Sequence, residues 1–239
     1  FLLVFWRKRT KARLLPALIG ALTFIVFALV LEQLLHSVVL VQPLIMTNTA
    51  LYVLYAGLAA GVFEETGRLF AFRLVLRKYP EREAAVSYGI GHGGIEAILI
   101  VGINMLVNLV LILIYVFGGE SFLRGLLPAG GLEELLAFMN AAPTQDFLLA
   151  GIERLIAVAL HISLSVLVFK AVSDKKWLYY PLAILVHAAI DWLAALASTG
   201  TLSFFDSKWL TELVYAVLTA LTAWFAFRVY RKLSRARHP

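Results

Sequence analysis

Two adjacent glutamates, Glu64 and Glu65, lie inside an apolar stretch of the chain and are followed by a basic residue, Arg68. Glu64 and Arg68 are four residues apart, and Glu65 and Arg68 three, so on a helix the guanidinium can lie against either carboxylate. An ionisable side chain in hydrocarbon costs about 3 kcal/mol or more, and such residues usually mark a functional site. The alternative is a structural ion pair that joins two helices.

Histidines in later apolar segments add to this group. His92 and Glu96 are four residues apart, as are His187 and Asp191, so each pair shares one helix face. A carboxylate in this position can hold an imidazole in one tautomer and orientation, as at catalytic or metal sites. His161 has no such acidic neighbour. Each histidine could instead be a hydrogen-bond partner between packed helices.

Together these residue types fit hydrolysis. A glutamate can take a proton from a water molecule that attacks a carbonyl, while histidines, or a metal that they hold, stabilise the developing oxyanion. Imidazoles from separate helices could bind zinc and leave a position open for water. The sequence has no HExxH motif and does not itself demonstrate a metal. The expected cofactor is a divalent metal, zinc before others, with the candidate ligands His92, Glu96, His161 and His187.

The composition places these residues in a membrane. Hydrophobic residues make up 62% of the chain and charged residues 15%, and the mean hydropathy is +0.87, which excludes an ordinary soluble domain. The absence of cysteine excludes disulfides and thiolate chemistry. The net charge of +6 does not indicate nucleic-acid binding, because the basic residues form short clusters between apolar segments.

The apolar segments predict an all-α, polytopic transmembrane helical bundle that forms a single integral membrane domain over residues 1–239. Residues 1–6 are expected to be the tail of a first helix whose start is missing, which gives about seven spans. The stretch Ala84–Phe117 is too long for one straight span, and its glycines offer a place for a break or a kink. The six full segments are Leu14–Leu40, Thr49–Phe72, Ala84–Phe117, Phe147–Val172, Trp177–Ala197 and Trp209–Tyr230.

The charges between these segments predict the orientation. Basic clusters at Arg7–Arg13, Arg73–Arg82, Lys170–Lys176 and Arg228–Arg237 alternate with connections that lack net positive charge, at Val41–Asn48, Gly118–Asp146 and Ser198–Lys208. Basic loops face the cytoplasm, so the C-terminus is expected to be cytoplasmic. Residues 118–146 are then an extracytoplasmic loop, in which the amphipathic stretch Leu132–Met139 predicts an interfacial helix.

The polar groups are predicted to meet at one level. At a rise of about 1.5 Å per residue they lie roughly 12 to 16 Å from the cytoplasmic ends of their helices, and they belong to four different helices: Glu65, His92, His161 and His187. Scattered structural polar residues would not be expected to share a depth. We therefore predict one site in the cytoplasmic half of the membrane.

The order of these motifs resembles the type II CAAX prenyl protease and bacteriocin-processing superfamily of intramembrane proteases. The shared pattern is an adjacent glutamate pair followed by a base, then a histidine on the next helix, then a His-x-x-x-Asp pair. Within that superfamily almost the whole chain resembles the YhfC family of intramembrane metalloproteases. The stretches that carry this closer resemblance are Leu31–His36, Phe63–Arg68, Gly91–Glu96 and Glu153–His161.

The resemblance implies an enzyme integral to a bacterial plasma membrane that cleaves a membrane-embedded or membrane-associated peptide and contacts lipid. One glutamate would activate water, and His187 with Asp191 would form an oxyanion site or part of a ligand set. Arg68 follows one residue earlier than in the prenyl proteases and His161 is additional, which argues against prenylated substrates and favours a metal. The implied catalytic residues are Glu64, Glu65, Arg68, His92, His187 and Asp191.

Two other functions fit the same residues. Acid–histidine chains in membranes also serve proton- or metal-coupled transporters, although the sequence shows no inverted repeat of the kind common in transporters. A non-catalytic scaffold that binds a lipid or a partner helix in the same pocket is the third possibility.

Overall fold

Helices account for all regular secondary structure in the computed structural model, which describes residues 1–141, 143–202, 204 and 207–233. Parts of two predicted segments lie outside the described residues. These are the end of the basic cluster Arg228–Arg237, from residue 234 on, and the middle of the connection Ser198–Lys208, at residues 203, 205 and 206.

The helices follow the predicted apolar segments closely. They are α1 (Leu2–Thr10), α2 (Leu15–Val39), α3 (Pro43–Met46), α4 (Thr49–Phe70), α5 (Glu83–Gly118), α6 (Glu120–Leu126), α7 (Gly131–Ala141), α8 (Thr144–Ser173), α9 (Tyr179–Ser198) and α10 (Lys208–Lys232). α2 and α5 each include a π-helical stretch, and another continues α4 over Ala71–Val75.

Within the described residues, five helices are long and apolar enough to cross a membrane: α2, α5, α8, α9 and α10. α4 has 22 residues, but Glu64, Glu65 and Arg68 lower its hydropathy. This confirms the class of polytopic helical membrane protein, while the count of about seven spans stays a prediction. In α1, the indole of Trp6 donates to the carbonyl oxygen of Glu83 at 3.3 Å.

The glycines of α5 serve close packing instead of the predicted break. The helix continues without interruption from Glu83 to Gly118, so it is not broken at these glycines. A Cβ atom at Gly91 would overlap the carbonyl oxygen of Ala17 on α2, and one at Gly89 would crowd the backbone of Ile162 on α8. The helix widens only beyond the glycines, in a π-helical stretch at Ala97–Gly102. Small residues thus bring α2 and α8 against the helix that carries His92.

One end of the bundle is filled by an apolar core, at the level of the basic connections. Its buried side chains come from the π-helical extension of α4 and from α5, α8, α9 and α10. They include Ala71, Phe72, Ala85, Tyr88, Leu164, Leu167, Ala183 and Val229. At the other end a smaller cluster packs Leu132 and Leu135 of α7 against Leu123 of α6. The helix predicted at Leu132–Met139 is therefore present. Its extracytoplasmic position stays a prediction.

Candidate metal and catalytic site

Glu64 of α4 lies where the histidine-bearing helices meet. Its Oε2 atom is 2.8 Å from Nε2 of His92 on α5 and 3.7 Å from Nδ1 of His161 on α8. The same oxygen is 3.9 Å from Nε2 of His187 on α9. The convergence of these helices at one level, predicted by counting residues along each helix, is confirmed by these contacts.

A compact group of ligand atoms surrounds this point. One atom from each of four buried side chains, Glu64, His92, Glu96 and His161, lies within 4.8 Å of the others. Three of these residues belong to the predicted ligand set, and Glu64 takes the place that the prediction gave to His187. The set combines two imidazoles with two carboxylates, which are donors that suit zinc.

The hydrogen bonds within this group fix the tautomer of His161. Arg68 Nη2 donates to Nδ1 of His161 at 2.6 Å, and arginine has no acceptor, so Nδ1 must be the unprotonated nitrogen. Nε2 of His161 therefore carries the hydrogen and points at Oε2 of Glu96. A metal bound at Nε2 would have to displace that proton. Buried Nδ1 of His92 has no hydrogen-bond partner among the described residues. This imidazole nitrogen is therefore available to bind a metal.

Glu65 and Arg68 form a buried ion pair behind Glu64. Both side chains are fully buried, and Arg68 Nη1 donates to Oε1 of Glu65. Arg68 Nη2 is also 3.6 Å from Oε2 of Glu64, so the guanidinium contacts both carboxylates, as its spacing allowed. One arginine therefore links the glutamate pair to His161 and compensates negative charge in a water-poor interior.

His187 is oriented mainly by Glu65. Its Nδ1–H donates to Oε1 of Glu65 at 2.7 Å, while Nε2 is 3.4 Å from Oδ2 of Asp191. The predicted pairing of His187 with Asp191 on one helix face is present, but the shorter contact comes from α4. Both ring nitrogens thus face a carboxylate, which fixes the ring plane.

A cavity of about 220 Å³ opens beside the group. It is lined by Glu64, Glu96, His161, His187 and Asp191, together with residues of α8 and α10 that include Arg154, Tyr215 and Thr219. Glu65, Arg68 and His92 do not line it. The two adjacent glutamates therefore have different surroundings. Glu64 borders the cavity, whereas Glu65 is fully buried behind Glu64.

Two further polar groups lie near the site and are absent from the predicted site residues. Glu32 of α2 is only 6% exposed and pairs with Nε2 of His36 at 3.3 Å. It interacts electrostatically with Glu64, Asp191 and His187. On α8, Arg154 Nη1 donates to Oε1 of Glu96 at 2.9 Å, which holds a member of the ligand group. The sequence could have indicated Glu32, because Glu32 and His36 are four residues apart, the same spacing as in the His–acid pairs of the site.

Comparison with known proteins identifies the family of the chain. A family model described as "YhfC intramembrane metalloprotease" matches residues 1–215. A Bacillus subtilis (strain 168) protein titled "Uncharacterized membrane protein YhfC" is 33% identical over 240 residues, which cover 96% of this chain and 90% of the relative. No solved structure matches the chain. The family match and this identity over nearly the full length show that the chain belongs to the YhfC family.

Proposed function

We propose that the protein is an intramembrane metallopeptidase that cleaves a peptide bond in a membrane-associated substrate, with Glu64 as the general base. One observation carries this assignment. Of the two adjacent glutamates, Glu64 borders the cavity and also contacts the buried histidines. The family description supports the reaction class.

His92, Glu96 and His161 are the residues that would hold the metal. Two histidines and one glutamate are a ligand set of catalytic zinc sites, which keep a position open for water or substrate. The chemistry that a bound divalent ion supplies at such a site is Lewis-acid polarisation of the scissile carbonyl. Arg154 supports the set from outside, because its bond to Glu96 orients that carboxylate.

Proton transfer, oxyanion stabilisation and positioning are each carried out by protein side chains. Glu64 takes a proton from a water molecule in the cavity as that water attacks the carbonyl carbon, and gives a proton to the departing amine. His187 donates from Nδ1 to Glu65, and its Nε2 lies beside the carboxylates of Glu64 and Asp191. In the doubly protonated form of the ring, Nε2–H can donate to the carbonyl oxygen as charge develops there. Arg68 and Glu65 are positioning residues that fix Glu64 and His187.

The decisive experiment compares Glu64→Gln with wild type in a defined peptide assay, alongside element analysis of each purified protein. Turnover should fall by about 10²- to 10⁴-fold, the range typical for loss of a general base, while metal content and thermal unfolding stay unchanged. Glu133→Gln, at an exposed position on α7, is the control. It should leave turnover, metal content and thermal unfolding unchanged. Unaltered turnover in Glu64→Gln would remove the base assignment, and loss of metal would make Glu64 a ligand instead.

The placement in the cell is part of the same proposal. The protein is a single integral domain of a bacterial plasma membrane, in contact with lipid, with the basic connections and the C-terminus in the cytoplasm. The alternating loop charges support this orientation. α6 and α7 are then on the extracytoplasmic side.

A further inference from the structure

The cavity beside Glu64 lies on one side of the site only. On α4 it is lined by Ala60 and Glu64, which precede Glu65, and on α5 by Glu96, which follows His92. On α8 all lining residues fall between Glu153 and His161, and on α9 they run from His187 to Ala194. Because α4 and α8 run opposite to α5 and α9, all of these positions lie toward the same end of the bundle, the end that carries α7.

A second cavity, of about 340 Å³, continues in that direction. It lies between the first turns of α8 and α10 and is lined by residues that include Asp146, Leu149, Thr211 and Glu212. Glu153 lines both cavities, so the two spaces adjoin. At the outermost point Lys208 Nζ donates to Oδ2 of Asp146 at 2.5 Å, in an exposed contact between the two helices. The pair of cavities therefore leads from Glu64 to the ends of α8 and α10.

The opposite side of the site is closed. Glu65, Arg68, Ser87 and Tyr88 are each 0% exposed, and they lie between the histidines and the basic connections. Below them the ring of Phe72 packs against Tyr88, with ring centroids 4.7 Å apart. These side chains fill the space that a route from the basic end would need.

We infer that water and substrate reach Glu64 from the α7 end of the bundle, between α8 and α10, and not from the end that carries the basic connections. By the positive-inside rule the α7 end is extracytoplasmic. The substrate is accordingly a peptide segment at the extracytoplasmic face or in the outer half of the membrane. The statement about the substrate rests on the proposed peptidase activity, whereas the access route does not.

Cysteine labelling tests the route directly, because the chain contains no cysteine. The test variants are Thr219→Cys and Ala157→Cys, both in the wall of the first cavity. The matched control is Ser87→Cys, since Thr219 and Ser87 are both buried and neither hydroxyl has a hydrogen-bond partner among the described residues. Two exposed positions show which membrane face the reagent reaches. Ser121→Cys marks the face near α7, and Ser173→Cys marks the face of the basic Lys170–Lys176 connection.

A charged methanethiosulfonate reagent, which does not cross bilayers, is added to sealed vesicles of each orientation. Thr219→Cys and Ala157→Cys should react in the orientation in which Ser121→Cys reacts, and not in the one in which Ser173→Cys reacts. Ser87→Cys should stay unmodified in both. Labelling of the cavity variants from the Ser173 face, or from neither face, would overturn the route. No turnover is measured, so a failed peptidase assay would leave this result standing, and the reverse also holds.

Discussion

At the scale of single residues, Arg68 is the most constrained side chain of the site. It is fully buried and contacts Glu64, Glu65 and His161. A buried ion pair contributes little net stability as a whole, but removal of one partner leaves an uncompensated charge away from water. The arginine is therefore expected to matter for folding as much as for chemistry.

Arg68→Met should lower the free energy of unfolding by about 3–5 kcal/mol, because Glu65 would remain buried without its arginine partner. The double variant Glu65→Gln/Arg68→Met should recover part of this loss, since it removes the charge as well. Denaturant titration in detergent measures both. Arg124→Met is the matched control, because Arg124 forms ion pairs with Glu120 and Glu133 at the surface, where a pair is worth about 0–1 kcal/mol. Equal losses in the buried and surface variants would contradict the prediction.

Single substitutions can also distinguish the histidines that bind the metal from those that do not. His161→Ala should lose the bound metal, because His161 belongs to the compact ligand group. His187→Ala should retain it and lose turnover, because His187 is held by Glu65 outside that group. Element analysis before and after chelation measures the metal. Metal loss in His187→Ala with retention in His161→Ala would favour a ligand set that includes His187 and excludes His161.

At the scale of helices, periodicity and depth made much of the fold and of the candidate site predictable. Hydropathy located the long apolar segments, and residue counts placed Glu65, His92, His161 and His187 at one level. A count along a helix gives height but not rotation, however, so it could not show that Glu64 faces the cavity while Glu65 lies behind it. Rotation depends on how neighbouring helices cross, which the sequence of one chain does not reveal.

The packing role of the glycines of α5 could not be predicted, for a related physical reason. Glycine in a helix indicates either a break or kink or a close approach of another backbone, and only the neighbouring helix distinguishes these. α2 lies against Gly91 so closely that a Cβ atom there would overlap Ala17. A Cβ atom at Gly94, on the same helix, would have no neighbouring helix within 4 Å among the described residues.

These two glycines form a matched pair for mutation. Gly91→Ala should destabilise the protein by about 1–3 kcal/mol, the usual cost of overpacking, and should lower turnover, since α5 carries His92 and Glu96. Gly94→Ala should be neutral or stabilise by up to about 1 kcal/mol, because alanine favours the helix and meets open space. Thermal unfolding in detergent compares the two. Equal effects would mean that close contact with α2 is not what Gly91 provides.

At the scale of the whole molecule, the distribution of open space separates a peptidase from a transporter. A transporter must expose its site to each face of the membrane in turn, by movement of one bundle against another. Here two adjoining cavities reach the site from the α7 end, while Arg68, Tyr88 and the apolar core lie packed between the site and the basic connections. A peptidase needs access for water and substrate from one side only.

Purified protein in sealed proteoliposomes should therefore carry no proton or zinc flux above that of empty vesicles, because the cavity beside Glu64 does not continue past Arg68. A pH-sensitive dye and a zinc-sensitive dye inside the vesicles measure the two fluxes, and an added ionophore shows that each dye responds. The same vesicles should cleave the peptide substrate, which shows that the protein is active there. Flux that depends on Glu64, and disappears in Glu64→Gln, would instead identify the acid–histidine group as a transport pathway.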